Sequence, residues 1–472
     1  MSSEPLPAAA PSAGIWRSVV DALRGVQQDY TQGSIGRAIA LLSIPMVLEM
    51  SMESLFAVVD IFFVSRLGAD AAAAVGLTES LLTMLYALAI GLSMATTAMV
   101  ARRVGEGDLA GARIAAVQAI ALSLAITVPI SLAGAFGAPH LLRLMGASES
   151  VLAAGSGYTA VMFGGSATIF LLFLINAVFR GAGDPAVAMR SLWLANLLNI
   201  VLDPCFIFGW GPFPEMGVTG AAVATTIGRG IGVLYQIWAL RQGDSRIVLG
   251  WGDLRVDREI IGRLVRVAWP AMFQFLIATA SWMGLVRIVA LFGSAALAGY
   301  TIAIRVIIFA ILPSWGMSNA AATLVGQNLG AGRPDRAERS VWQTGVYNML
   351  FLGLVGGVFL LFAEPILRLF TSDPEVLRYG VSCLRICSYG YPAYAWGMVM
   401  VQAFNGAGDT WTPTWINLLC YWVFQIPFAW TLALPLHLGA TGVFVAIAVA
   451  ESMLAVAGML AFRRGRWKAR RI

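Results

Sequence analysis

Charge is what this chain has least of. Lys, Arg, Asp and Glu together make up 12% of its 472 residues, against about 25% in a soluble protein. That shortage excludes an ordinary water-soluble domain. Histidine is nearly missing, with only His140 and His437, and the four cysteines (Cys205, Cys383, Cys387 and Cys420) all sit inside apolar stretches. Cys383 and Cys387 are one helical turn apart with no histidine nearby, so they read as small hydrophobic filler and not as a metal site. No nucleophile–base pair or metal-ligand set falls within the apolar runs, which argues against an enzyme. A cleavable leader is not expected, because residues 1–14 are rich in Ser, Pro and Ala and no basic segment leads into an apolar core.

What replaces charge is apolar length. Hydrophobic residues are 59% of the chain, and mean hydropathy is +0.78. Crossing a bilayer takes about 20 mostly apolar residues. The pattern predicts spans at 38–64, 74–100, 113–137, 150–178, 189–210, 218–240, 265–292, 298–325, 342–365, 379–403, 412–434 and 440–462. An excess of positive charge can serve nucleic acid, but here the net +6 gathers in alternate connections and orients a membrane protein. One side holds Arg102, Arg103, Arg180, Arg241, Arg246, Arg255, Arg258, Arg333, Arg336 and Arg339 with both termini; the other keeps Arg66, Arg143, Arg368 and Arg378. Both termini are therefore expected in the cytoplasm. Within the tail 1–37, Ile15, Trp16, Val19, Leu23 and Val26 fall near one side, as in a short interfacial helix.

The chain also repeats. LGADAAA (67–73) answers FGSAALA (292–298), VARRVGEGD (100–108) answers VGQNLGAGR (325–333), and RGAGD (180–184) answers NGAGD (405–409), each 225 positions apart. Pro45 answers Pro270 at the same offset. Six spans followed by six more must point the same way, so the repeats are parallel and related by an axis along the membrane normal. The expected fold is all-α: a six-helix lobe over 38–240, a linker at 241–264, a second six-helix lobe over 265–462 and a basic tail at 463–472. The glycine-rich GEGD, GAGD and GAGR segments read as turns between spans, since they lack the Lys and Ser/Thr of a phosphate cradle and follow no strand.

The first span, AIALLSIPMVLEMSMESLFAVVDIFFV, carries Glu49, Glu53 and Asp60. At 100° per residue these lie at roughly 0°, 40° and 20°, on one face. Carboxylates at membrane depth are costly, and the face reads as a proton, cation or substrate site, or else as a wet seam serving packing alone. Pro45 offers a bend one turn earlier. In the fifth span Asn196, Asn199 and Asp203 stack on one face, and Pro204 frees a carbonyl from the preceding turn. Such oxygens suit a hard cation such as Na⁺, a protonated carboxyl network, or an interhelical clamp.

Those segments, together with NAVFRGAGDPAVAM, NIVLDPCFIFG and FNGAGDTWTP, resemble the multidrug and toxic compound extrusion (MATE) transporters, in their bacterial DinF-like branch. The resemblance covers about Thr31 to Arg464. It implies twelve helices in two lobes around a central cleft that opens alternately to each side. It places Asp60, Asn199 and Asp203 in a cation-coupling site of the first lobe, with Thr225 as a further ligand, beside Asn196. The second lobe has Leu285 and Phe424 at the positions of Asp60 and Asn199, so coupling is expected in the first lobe only.

Glu49, Glu53, Asn176, Trp282, Arg287 and Arg305 are candidates for the substrate cleft. Met50, Met52, Met84, Tyr300, Trp315, Tyr389, Tyr391 and Trp396 are further candidates for its apolar and cation–π walls. Arg287, Arg305 and Arg385 are expected to be buried bases, either pairing with an acid or meeting an anionic part of the substrate, with Glu53 and Glu79 as partners for Arg305. Arg229 is expected to pair with Glu451. The expected function is export of amphipathic organic cations in exchange for H⁺ or Na⁺, with no other cofactor, by a monomer in the inner membrane. The alternative cargo is a lipid-linked or anionic metabolite.

Overall fold

The structure is a computed structural model and describes residues 15–242, 245–250, 256–470 and 472. The expectation of no leader in residues 1–14, and Arg255 of the linker, lie outside the described residues. A short helix, α1 (Ile15–Arg24), precedes the spans. The first lobe comprises α2 (Ile35–Val64), α3 (Ala69–Gly105), α4 (Leu109–Leu144), the pair α5 (Glu149–Gly164) and α6 (Ser166–Ala182), α7 (Pro185–Phe208) and α8 (Val218–Arg241). The second comprises α9 (Arg258–Ala290), α10 (Ser294–Gly330), α11 (Pro334–Arg368), the pair α12 (Pro374–Tyr389) and α13 (Tyr391–Gly406), then α14 (Trp411–Asn417) running through a π-helical stretch into α15 (Ile426–Ala433), and α16 (Ala440–Arg463). All twelve expected spans are present.

Most helices run several residues past the apolar runs. The second span was expected at 74–100, yet α3 covers Ala69–Gly105. Asp70 in its first turn and Arg102 and Arg103 in its last complement the helix dipole, so polar ends stay helical. The fourth span bends by 41° where α5 meets α6 at Gly165, and the tenth span breaks at Gly390, again 225 positions on. The turns repeat as well: Gly107 and Gly332 have φ of 77° and 67°, and Gly183 and Gly408 have 86° and 79°. Only glycine takes these values without strain.

The lobes meet where α2 packs on α10 and α3 packs on both α9 and α10. At the arginine-rich end α3 and α10 cross so closely that a Cβ on Gly105 would lie 2.0 Å from the Gln327 carbonyl oxygen, and one on Gly330 would lie 2.1 Å from that of Arg102. Each pair is the other displaced by 225 positions. Side chains then tie the lobes together. Arg102 donates to the Ala407 carbonyl at 3.4 Å, Gln327 to that of Gly181 at 2.9 Å and Thr323 to that of Arg180 at 3.0 Å.

Segments near both ends of the chain reinforce this face. Arg333 donates to the Thr31 carbonyl, and Arg336 to those of Tyr30, Gln32 and Gly33. Buried Tyr30 donates to the Gly183 carbonyl at 3.1 Å. At the other end Trp467 is fully buried and stacks on Phe462, while Arg470 pairs with Asp409 at 3.1 Å. Cys383 and Cys387 lie in the second lobe's apolar core, as hydrophobic filler should.

Candidate functional site

The acidic face of α2 turns inward, and each acid meets a different neighbour. Glu49 is 1% exposed. One of its oxygens accepts from Asn176 Nδ2 at 3.0 Å and from Arg180 at 2.9 Å; the other, Oε2, is buried without a partner. Behind Asn176, its own oxygen accepts from Ser191 at 3.0 Å and from Gln236 at 2.6 Å. This network fixes the Glu49 carboxylate between α6, α7 and α8. Four residues along, Glu53 accepts from Asn196 Nδ2 at 3.1 Å. Asn196 is thus drawn to the cleft acid and not to Asp203.

About one turn along α7 from Asn196, Asn199 bridges α7 and α8. With its amide nitrogen toward Asp203 it donates to Oδ2 at 2.9 Å, and its oxygen accepts from the Thr225 backbone N–H and hydroxyl, both at 2.9 Å. Asp203 is fully buried, and its Oδ1 has no partner. Asp60 lies within electrostatic reach of Asp203, Glu79 and Arg229. Asn199, Asp203 and Thr225 therefore form one polar cluster within the first lobe, with Asp60 within electrostatic reach of it. A carboxylate oxygen left unmet in such a place is costly unless a proton or cation takes it.

Between the lobes lies a cavity of about 300 Å³, and adjoining it is one of about 500 Å³ lined by the second lobe except for Met94. Glu49, Glu53, Tyr86, Asn176, Arg180 and Asn405 line the first; Gln274, Trp282, Tyr394 and Asn417 line the second. Met94, Phe275, Leu312, Trp315 and Gln402 belong to both. Where the first lobe sets charge, the second sets amides. Gln274 and Asn405 bond one another at 3.1 Å, Asn405 reaches Gln402, and Gln402 donates to Asn319 at 2.9 Å.

Several expectations are corrected. Arg287, Arg305 and Arg385 are exposed, not buried, and line neither cavity. Arg305 lies within electrostatic reach of Glu79 but makes no ion pair with Glu53, which Asn196 holds. Arg229 does not meet Glu451. It stays in the first lobe beside Tyr86, Glu53 and the Phe56 ring, 5.9 Å away, while Tyr421 donates to both Glu451 oxygens at 3.2 and 3.3 Å. Of the expected walls, Met50, Trp282 and Trp315 line the cavities. Tyr300 and Tyr391 instead fill the second lobe's core, Trp396 packs on Trp342, and Met84 and Tyr389 are exposed.

Arg180 is the residue sequence reasoning missed. Its place beside the glycine turn points to a loop, yet it sits in the last turn of α6 and reaches the cleft. The signal available was its spacing of four from Asn176, which puts both on one helical face.

Two repeated lobes of membrane-crossing helices around a polar cleft define a multi-pass membrane transporter of small molecules, not an enzyme. The MatE family model matches residues 45–205 and 270–431, one stretch in each lobe, and the chain belongs to that family. It is 28% identical over 441 residues to the "Probable multidrug resistance protein NorM" of Thermotoga maritima, covering 93% of this chain and 94% of that one. It is 25% identical over 424 residues to an "FAD transporter" of Shewanella oneidensis, covering 90% and 93%. A crystal structure titled "MATE in the straight conformation" superposes with a TM-score of 0.88 at 30% identity, covering 94% of this chain and 98% of that one.

Proposed function

We propose that the protein is a secondary active exporter of amphipathic organic cations, exchanged for H⁺ or Na⁺, in the cell (inner) membrane with both termini in the cytoplasm. The reading of the cargo rests on the cleft's charge. Two carboxylates, Glu49 and Glu53, line the first cavity against a single base, Arg180, which Glu49 already engages. Glu53 accepts from the Asn196 amide and has Arg229 near it outside the cavity lining, and its attraction for a cation in the cavity grows where water is scarce. Tyr86, Trp315 and Phe275 add aromatic faces, and Met50 and Met94 add adaptable ones.

The coupling ion enters at Asp60, Asn199, Asp203 and Thr225. Its arrival neutralises buried charge, lets α2 bend at Pro45 and shrinks the cleft, so that ion entry expels drug. The orientation follows from the arginines at the termini-bearing face.

The test uses liposomes loaded with a fluorescent organic cation and given a pH gradient or a Na⁺ gradient separately. Movement driven by one gradient, and lost in Asp60→Asn and Asp203→Asn, supports exchange and names the ion. A second reading, an anionic cargo, draws on Arg180 with the amides of Asn176, Asn319 and Asn405, and on the FAD transporter among the relatives. Under it the organic cation stays put under both gradients while an anionic dinucleotide moves.

A further inference from the structure

A separate cavity of about 550 Å³ opens at the termini-bearing face, away from the cleft. Arg102, Arg103 and Glu106 line it from the end of α3, Arg263 and Arg266 from the start of α9, with Val267 and Ile472 between them. Four guanidinium groups thus face one side-chain carboxylate. Arg103 is matched, to Glu106 at 3.0 Å and Asp108 at 3.8 Å, and Arg263 pairs with Glu259 on its own helix. Arg102 is not. It is 8% exposed and gives one nitrogen to the carbonyls of Ala407 and Arg470, while its Nε is buried with no acceptor. Arg266 is exposed and makes no ion pair among the described residues.

Like charges gathered in a recess repel unless an anion shares them. Planar guanidinium forks match phosphate oxygens in pairs, and Val267 and Ile472 offer an apolar wall beside them. The two sets of arginines come from different lobes, so one anion touching both would bridge the seam.

We propose that this cavity binds a phosphate-bearing anion through Arg102, Arg103, Arg263 and Arg266, and that its occupancy favours the arrangement in which the lobes meet at this face. Its placement at the level of phospholipid headgroups rests on the orientation proposed above. The phosphate can come from an anionic lipid of that leaflet or from a soluble phosphate compound.

The test is thermal unfolding of the purified protein in neutral detergent, titrated with short-chain phosphatidylglycerol, short-chain phosphatidylcholine or inorganic pyrophosphate. Wild type should gain stability saturably with phosphatidylglycerol and not with phosphatidylcholine. In Arg263→Gln/Arg266→Gln the half-saturating concentration should rise at least about tenfold, with Arg266→Lys intermediate because it keeps charge but loses the fork. A matching response to pyrophosphate assigns the site to soluble phosphate; a response to the anionic lipid alone assigns it to the headgroup. Equal effects of both lipids, or a double variant that responds like wild type, overturn the proposal. No transport is read, so failure of the exchange mechanism leaves this test intact.

Discussion

Glu49 and Arg180 form a buried ion pair at 2.9 Å, and 225 positions later Gln274 and Asn405 make the same contact without charge. The two lobes therefore share a joint between the first and fourth spans of each repeat, and only the first lobe gives it charge.

Breaking one side of that pair strands the other. Glu49→Gln leaves the Arg180 guanidinium without its carboxylate and should cost about 3–5 kcal/mol. The double variant Glu49→Gln/Arg180→Asn copies the second lobe's amide pair and should recover most of that loss. Thermal unfolding of the three proteins checks this; a double variant as unstable as the single one would show that the two joints are not equivalent.

The crossing of α3 and α10 has no room for a methyl group. Gly105→Ala or Gly330→Ala drives a Cβ into a backbone carbonyl of the facing helix, so the lobes must part at the termini-bearing face. Overpacking of this kind costs about 1–3 kcal/mol. A cysteine pair placed across the seam should cross-link more slowly in either variant than in the parent.

Thr225 supplies a hydroxyl to Asn199 as well as a backbone N–H. Thr225→Val keeps the shape and the N–H but removes the hydroxyl, which should loosen the Asn199–Asp203 contact. The expected result is a half-saturating concentration of the coupling ion raised about three- to tenfold at unchanged maximal transport, from a loss of about 1 kcal/mol. Ion titrations in the liposome assay read this directly. An unchanged half-saturation would remove Thr225 from the site.

Asp184, in the turn before α7, gives a pH dependence. Burial pushes its carboxyl up to about 6, against the pull of Arg190. Because the folded pKa lies above the ordinary 3.8, the folded state holds the proton more tightly than the unfolded chain. Stability contributed here is present at low pH and is lost as pH rises through about 4 to 6. Asp184→Asn should therefore stabilise the protein by about 2–3 kcal/mol near pH 7.5 and by little near pH 4. Unfolding temperatures at the two pH values test it, and equal gains at both would exclude titration as the cause.

Much of this was legible from residue order. Membrane depth shows in apolar length, so the spans could be read, and a repeat at constant offset predicted where the glycine turns recur. Helical spacing brought Asn199 near Asp203 and set Glu49, Glu53 and Asp60 on one face. Spacing along one helix does not say which partner lies across from it. For that reason residue order alone matches Arg229 to Glu451, groups Asn196 with Asp203 and not Glu53, and leaves Arg180 in a loop. Depth along a span likewise does not tell inward from outward, and Arg287, Arg305 and Arg385 prove exposed.

The sequence by itself determined the membrane class, the twelve spans, the two parallel repeats and the lack of acids at the second-lobe counterparts of Glu49, Glu53 and Asp60, which are Gln274, Ala278 and Leu285. These follow from hydropathy, periodicity and internal homology, which are properties of residue order. Only the tertiary structure decided that Glu49 pairs with Arg180, that Glu53 takes Asn196, and that α3 and α10 cross backbone to backbone. Those contacts join residues more than a hundred positions apart, and they depend on the rotation and tilt of packed helices.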